Sequence, residues 1–303
     1  MRELQETRVR GRRSTIAIYA GVGGAYIIGF ASIFSMPVFV GPIMDAFAIT
    51  ERDIGLIAGL ELTAMAISSV WFATRIQGQS LFAVASAGLA LALLGHSISI
   101  VTESAWVFAG CRFVAGLGEG SALAAGNATG AAQDNPERVF AVVGIFISVV
   151  TIFMVGSFPH VIELWGYRAG IGALVAVLLI VGLLTRGLPR QLKSQIPDAD
   201  GSTEAHFPFK VAGILILLAY SLVSLVDIGL WVFTERIGIN VGLSPERIGL
   251  LLAVTTAIGL LGPLMAAVLH VRFGRILPFT VGLLVFAASC IGIGNAWNAT
   301  IYM

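Results

Sequence analysis

Long apolar runs recur along the whole sequence, and they constrain its fold more than any other feature. Hydrophobic residues make up 57% of the chain and charged residues only 12%, whereas soluble domains carry about 25% charged residues. Because the apolar runs are not confined to one face of periodic helices, too few polar residues remain to cover a water-exposed surface. The solvent for these runs is therefore lipid, and we expect an all-α integral membrane protein.

A helix that spans the bilayer needs about 20 largely apolar residues at a rise of about 1.5 Å each. By this measure the sequence predicts about nine transmembrane helices, separated by short polar turns and one longer linker. The predicted helices cover residues 15–46, 53–74, 81–101, 105–132, 138–161, 168–186, 209–236, 245–270 and 276–294. The first run follows several arginines but is too long for a signal peptide, so we expect it to remain as a helix.

Basic residues predict the orientation, because they favour the cytoplasmic side of a membrane. With a cytoplasmic N-terminus, thirteen of the 18 Lys and Arg residues fall in inner segments, four fall in outer loops, and Arg112 lies inside a helix. We therefore expect a multi-pass protein of the cell (inner) membrane with its N-terminus inside. The net charge of +1 argues against a broad basic surface for nucleic acid.

A seven-residue segment occurs twice and predicts two related halves. Residues 50–56 (TERDIGL) and 244–250 (SPERIGL) each place a hydroxyl residue before a helix start, as helix caps do, and then continue with Ile-Gly-Leu. Their offset of 194 positions predicts an N-terminal six-helix bundle over residues 1–186, a cytoplasmic linker over 187–208 and a partial C-terminal bundle over 209–303. In transporters with parallel halves, we expect the solute site where the halves meet near mid-membrane.

The same offset predicts how long a complete second half would be. Counted from Arg186, the end of the first half, it places the end of the second half near residue 380, about three helices beyond Met303. We therefore expect this chain to lack the last three helices of the complete architecture.

Residues of the fourth predicted helix resemble a motif of the major facilitator superfamily (MFS) of secondary transporters. Residues 112–120 read RFVAGLGEG, which is similar to the family pattern Arg-x-x-x-Gly-x-Gly-x-Gly. Residues 136–138 and 165–168 also resemble turns of that family. The resemblance covers the whole chain as helices one to nine of twelve, and it implies two helical bundles that rock about a central solute site.

A second MFS motif, GxxxDRxGRR between helices two and three, is only partly kept. Gly78 remains in the first half, while the matching loop of the second half keeps Arg272, Gly274 and Arg275 but lacks the aspartate. The resemblance implies that these four residues belong to a cytoplasmic-loop motif.

Four ionisable residues inside predicted helices are candidates for transport chemistry, because charged side chains in a bilayer are costly and often functional. They are Arg112, Glu119, Glu61 and Asp227. Arg112 and Glu119 lie two turns apart on one helix face, about 10.5 Å along the axis, so they either hold a polar solute or form a structural ion pair. Glu61 and Asp227 could each take protons from the outer side. The alternative for Glu61 is a hydrogen bond to a neighbouring helix, and the alternative for Asp227 is solvation in an outer vestibule.

Other residues are expected to serve packing or solvation. The glycines Gly116, Gly118 and Gly120 predict close contact between helices. We expect solvated helix ends at Asp45, Glu235 and His96. We expect lipid or core contacts rather than a cavity for Tyr19, Tyr26, Phe30, Phe34 and Trp231.

The motifs of common enzymes and of ATP-driven pumps are absent from the sequence: it contains no HExxH, GxSxG or GxxxxGK pattern. We therefore expect no enzyme activity, no cofactor and no metal. The function that we predict is secondary active transport of a small organic solute, coupled to protons, by alternating access in a monomeric chain. Two alternatives remain: a ten-helix drug/metabolite-type exporter, and a non-transporting sensor, assembly protein or inactive truncated carrier.

Overall fold

The computed structural model describes residues 2–191, 211–261 and 276–295. These residues are helical apart from short turns, which confirms the all-α prediction. The elements are α1 (Arg2–Phe47), α2 (Glu51–Ala73), α3 (Leu81–Val101), α4 (Ala105–Ala131), α5 (Pro136–Gly182), a 3-10 turn (Leu183–Gly187), α6 (Val211–Asn240), α7 (Pro245–Gly259) and α8 (Ile276–Gly294). Within these described ranges, the segments long and apolar enough to cross a membrane are Thr15–Phe47, Glu51–Ala73, Leu81–Val101 and Pro136–Gly187.

Helix α1 is the most buried of the apolar helices. In its apolar stretch 83% of the residues are buried, against 28% in α2 and 39% in α3. The outer faces of α2 and α3 carry exposed apolar side chains such as Ile67, Val70 and Leu94. Because a water-exposed surface would not favour these residues, the faces are suited to contact with lipid.

The repeated segments start α2 and α7, as predicted, and each start is held by its own cap. The N–H of Asp53 donates to the hydroxyl of Thr50 at 3.3 Å, and the N–H of Thr50 donates back to the Asp53 carboxylate at 3.0 Å. In α7 the N–H of Arg247 donates to the hydroxyl of Ser244 at 3.5 Å. Pro245 follows at the first helical position, where its missing N–H breaks no helical hydrogen bond.

Gly166 divides α5 into two antiparallel arms. Its backbone angles, φ 80° and ψ 171°, interrupt the helix in a region that side chains rarely adopt. Phe146, before the interruption, and Val181, after it, lie against the adjacent α1 residues Gly23 and Gly24. The second arm therefore runs back along the first. The sequence predicted two helices here, and a single glycine joins them where a longer turn was expected.

Glycines of α4 let three helices approach closely. Gly116 and Gly120 face the backbone of α2, and Gly118 faces the backbone of α3 at Gly88. A Cβ atom at any of the three α4 positions would overlap a backbone carbonyl oxygen of the neighbouring helix. Because a backbone cannot swing aside as a flexible side chain can, these positions require the smallest residue.

Specific contacts join α1 and α5 to α6 and α7. The indole N–H of Trp231 in α6 donates to the carbonyl of Ile33 in α1 at 3.2 Å. That carbonyl is free because Pro37, one turn later, has no N–H to donate to it. Gly249 of α7 packs against Pro159 of α5. These contacts join the middle of α1 to α6, and α5 to the first turns of α7.

Replacing Gly118 with Ala should destabilise the bundle, because the new methyl group would force α3 and α4 apart. We expect a loss of about 1–3 kcal/mol in the free energy of unfolding, measured by denaturant unfolding in detergent micelles. Gly110 of the same helix has nothing within 4 Å of an added Cβ, so Gly110→Ala is the matched control and should leave stability unchanged or slightly raised. Equal stability of the two variants would contradict this packing.

Candidate functional site

Arg112 of α4 and Glu61 of α2 form a buried ion pair. Nε and Nη2 of Arg112 donate to Oε2 of Glu61 at 3.0 and 2.8 Å, and Nη2 lies 2.7 Å from Oε1. Both residues are almost fully buried. A guanidinium that meets a carboxylate through more than one N–H···O bond has the strongest ion-pair geometry. Because an unpaired buried charge is strongly destabilising, each residue makes the other tolerable inside the membrane.

Ser32 connects this ion pair to helix α1. Its hydroxyl donates to Oε1 of Glu61 at 2.9 Å and accepts a hydrogen bond from Nη2 of Arg112. Ser32 is itself only 2% exposed. One polar cluster therefore holds α1, α2 and α4 together at the same level.

His96 of α3 lies between Arg112 and Glu119. Nη1 of Arg112 is 2.7 Å from Nδ1 of His96, and Nε2 of His96 is 3.0 Å from Oε1 of Glu119. Because arginine can only donate, Nδ1 must accept. The single proton of the neutral imidazole then stands on Nε2 and is donated to Glu119. A doubly protonated imidazolium could not keep both contacts.

Glu119 is the last residue in this chain of contacts, with one carboxylate oxygen hydrogen-bonded and the other without a partner. Its Oε2 has no hydrogen-bond partner within the described residues, and the side chain is fully buried. With Arg112 positive, Glu61 negative and His96 neutral, an ionised Glu119 leaves the cluster with a charge of minus one, and a protonated Glu119 leaves it neutral. Since net charge is costly in a low dielectric, Glu119 is where an added proton relieves most of that cost.

The structure changes how Arg112 and Glu119 are related. The sequence placed them on one face of α4 as a solute clamp or a direct ion pair, but Arg112 pairs with Glu61, and Glu119 is reached only through His96. The alternative in which Glu61 hydrogen-bonds to neighbouring helices matches its contacts with α1 and α4.

The expectation that His96 is a solvated helix end was wrong, because the residue is 0% exposed. The sequence did contain a signal for its position. Gly88, Ala92 and His96 follow one another at intervals of four residues, which puts His96 on the small-residue face of α3 that packs on α4.

Glu61, His96 and Glu119 also bring three ligand-type atoms within 4.8 Å of one another. Such a set can in principle hold a metal ion. Here the guanidinium of Arg112 already binds Glu61 and Nδ1 of His96, and its positive charge would repel a cation. We therefore interpret the group as a hydrogen-bonded titratable cluster.

A cavity of about 300 Å³ borders the opposite side of α1. It lies between α1, α5, α6 and α7, and among the described residues of its lining Asp227 is the only charged one. Phe34 and Trp231, for which we expected lipid or core contacts, contribute aromatic walls. The lining residues are Ile33, Phe34, Ile147, Ser148, Thr151, Asp227, Ile228, Trp231, Thr256 and Gly259. Asp227 is thus apart from the buried cluster but beside an accessible cavity.

The remaining candidates are spread over other parts of the chain. Gly78 occupies the turn between α2 and α3 with a φ of 76°, a left-handed conformation that favours glycine. The residues of the matching second-half loop lie outside the described residues. They are Arg272, Gly274 and Arg275. Asp45 is exposed as expected, whereas Glu235 is only 6% exposed and lies against Gly41 of α1, so the prediction of a solvated Glu235 was wrong.

Comparison with known proteins agrees with this fold. Residues 22–302 match the sequence profile of the Major Facilitator Superfamily. No functionally curated protein matches the sequence. The structure resembles a bacterial homologue of the human lysosomal transporter Spinster in its inward-facing, unoccupied crystal structure, with a TM-score of 0.70, 18% identity, and coverage of 95% of this chain and 70% of that chain.

The inward-facing, occupied crystal structure of a bacterial Spinster homologue gives a TM-score of 0.64 at 18% identity, covering 95% of this chain and 69% of that one. At this level of identity the likeness shows the fold alone. The family match argues against a ten-helix exporter, and it points to a transporter rather than an enzyme. The chain belongs to the major facilitator superfamily of multi-pass membrane transporters.

Proposed function

We propose that this protein is a proton-coupled secondary transporter of a small organic solute, with its N-terminus on the cytoplasmic side of the cell (inner) membrane. One observation carries the proposal: α1 separates a titratable cluster from a solute-sized cavity. Ser32 contacts Glu61 and Arg112 on one side of α1, while the next two residues, Ile33 and Phe34, line the cavity. A change of protonation in the cluster is therefore one helix away from the bound solute.

In this proposal Glu119 takes up the transported proton. Its bare oxygen and its burial support that role, because protonation neutralises the cluster. A proton on Glu119 leaves the contact with His96 intact, since the carbonyl oxygen of the acid still accepts. The neutral acid polarises the imidazole less than the carboxylate does, so protonation of Glu119 makes Nδ1 of His96 a weaker acceptor and loosens its bond from Nη1 of Arg112.

Displacement of Arg112 would be transmitted to α1. The guanidinium holds both Glu61 and the hydroxyl of Ser32, so its movement alters the bonds by which α1 is fixed. His96 is thereby the link between the proton acceptor and the helix that borders the cavity.

Alternating access is supported by the contacts between the proposed halves, residues 1–186 and 209–303, joined by a cytoplasmic linker over 187–208. Two of the described contacts, Glu235 with Gly41 and Gly249 with Pro159, lie where α1 and α6 end and α7 begins. In the proposed orientation this is the outer end, so the bundle is closed to the outside. Opening outward would separate these contacts.

Replacing Glu119 with Gln should uncouple transport from protons. The amide oxygen still accepts the N–H of His96, but the side chain no longer titrates. The wild-type protein is reconstituted into vesicles that contain a pH dye, and small organic solutes are added one at a time. We expect at least one solute to cause proton flux across the vesicle membrane. The variant should show only the flux of empty vesicles, while solute exchange without a proton gradient continues.

Glu103→Gln is the matched control, because the side chain of Glu103 is 88% exposed in the turn between α3 and α4. It should retain full proton-linked flux. Full proton-linked flux in Glu119→Gln would remove Glu119 from the mechanism. If the folded wild type shows no flux with any solute, the alternative of a non-transporting membrane protein is favoured.

The ion pair of Arg112 and Glu61 should behave as a structural unit. Arg112→Gln leaves Glu61 buried without its partner, and we expect a loss of about 3–5 kcal/mol in the free energy of unfolding. The double variant Arg112→Gln, Glu61→Gln should recover part of this loss, because neither charge is then left unpaired. Denaturant unfolding of the two single variants and the double variant measures the coupling. Strictly additive losses would contradict the pairing.

A further inference from the structure

The lining of the cavity between α1, α5, α6 and α7 is mostly apolar, but it contains one carboxylate, three hydroxyl groups and two aromatic rings. Asp227 supplies a carboxylate, and it has no ion-pair partner within the described residues. Lys, Arg and His are absent from the described lining. The buried Arg112 is paired with Glu61 on the other side of α1. It is therefore not available to neutralise the charge of an anionic solute in the cavity.

Two aromatic side chains form walls of the same cavity. Phe34 is the last member of a row along α1, with ring centroids 5.9 Å apart from Tyr26 to Phe30 and 5.4 Å apart from Phe30 to Phe34. Trp231 is fixed in place by its bond to the carbonyl of Ile33. The faces of such rings attract organic cations.

The hydroxyl groups of the cavity add acceptors. Thr256 donates its hydroxyl proton to the carbonyl of Leu252 in its own helix at 2.8 Å. Its oxygen lone pairs therefore remain for a donor in the cavity. Carboxylate, hydroxyl oxygens and ring faces together favour a positively charged donor.

We infer that the transported solute is an organic cation, an amine or quaternary ammonium compound with a compact apolar body. The charged head lies at Asp227 and the body lies against Phe34 and Trp231. The volume of about 300 Å³ accommodates such a solute. This inference rests on the proposed transport function and specifies its substrate class.

The test is equilibrium binding of radiolabelled benzyltrimethylammonium to the full chain in lipid nanodiscs, with benzenesulfonate as the anionic probe of similar size. We expect saturable binding of the cation and none of the anion. Asp227→Asn should weaken cation binding roughly tenfold or more, because it removes the charge partner of the cation from the cavity lining. Trp231→Leu should weaken it a few-fold through the lost ring face.

Two further variants separate binding from folding. Asp227→Glu keeps the charge and should retain most of the binding, and Glu103→Gln removes an exposed carboxylate and should have no effect. Absence of saturable cation binding, equal binding of benzenesulfonate, or an unchanged affinity in Asp227→Asn would each overturn the inference.

The binding assay needs no proton gradient, so its failure is distinguishable from failure of the proposed function. Cation binding without proton-linked flux would overturn the coupling alone. Proton-linked flux of an anionic solute, without cation binding, would overturn the substrate class alone.

Discussion

The ion pair of Arg112 and Glu61 is the interaction on which the rest of the site depends. A lone arginine or glutamate at this depth would be costly, and the pair can exist only because glycines of α4 bring α2 within reach. Ser32 then ties α1 to the same cluster, and His96 adds α3. Four helices thus meet through the polar groups of one buried cluster.

Local chemistry allowed much of the fold to be predicted. The capping residues Thr50 and Ser244 indicate where helices start. The glycines at alternating positions of α4 indicate close contacts with neighbouring helices. The position of the turn at Gly166 was predicted correctly, but a longer turn was expected. Nothing in the neighbouring residues indicates that one glycine is enough to reverse the chain. Helix ends depend on caps, whereas the length of a turn depends on how the helices pack.

The site could be predicted only in part, for a related reason. The cost of charge in a bilayer singles out Arg112, Glu119, Glu61 and Asp227, but not their partners. Which side chains meet depends on the rotation of each helix, and that rotation is decided by packing across the bundle. The sequence therefore did not predict that His96 connects Arg112 to Glu119. Nor did it predict that Asp227 lies at a cavity, away from the buried cluster.

The central claim is that Glu119 carries the proton inside the buried cluster. Infrared difference spectroscopy of the reconstituted protein during pH changes tests it most directly, because a protonated carboxyl group in an apolar site has a C=O band distinct from that of a carboxylate. We expect such a band in the wild type, in Asp227→Asn and in Glu235→Gln, which removes the other described buried carboxyl group with an unpartnered oxygen, and we expect this shared band to be lost in Glu119→Gln. A band that persists in Glu119→Gln, or no protonated carboxyl band at any pH, would contradict the account.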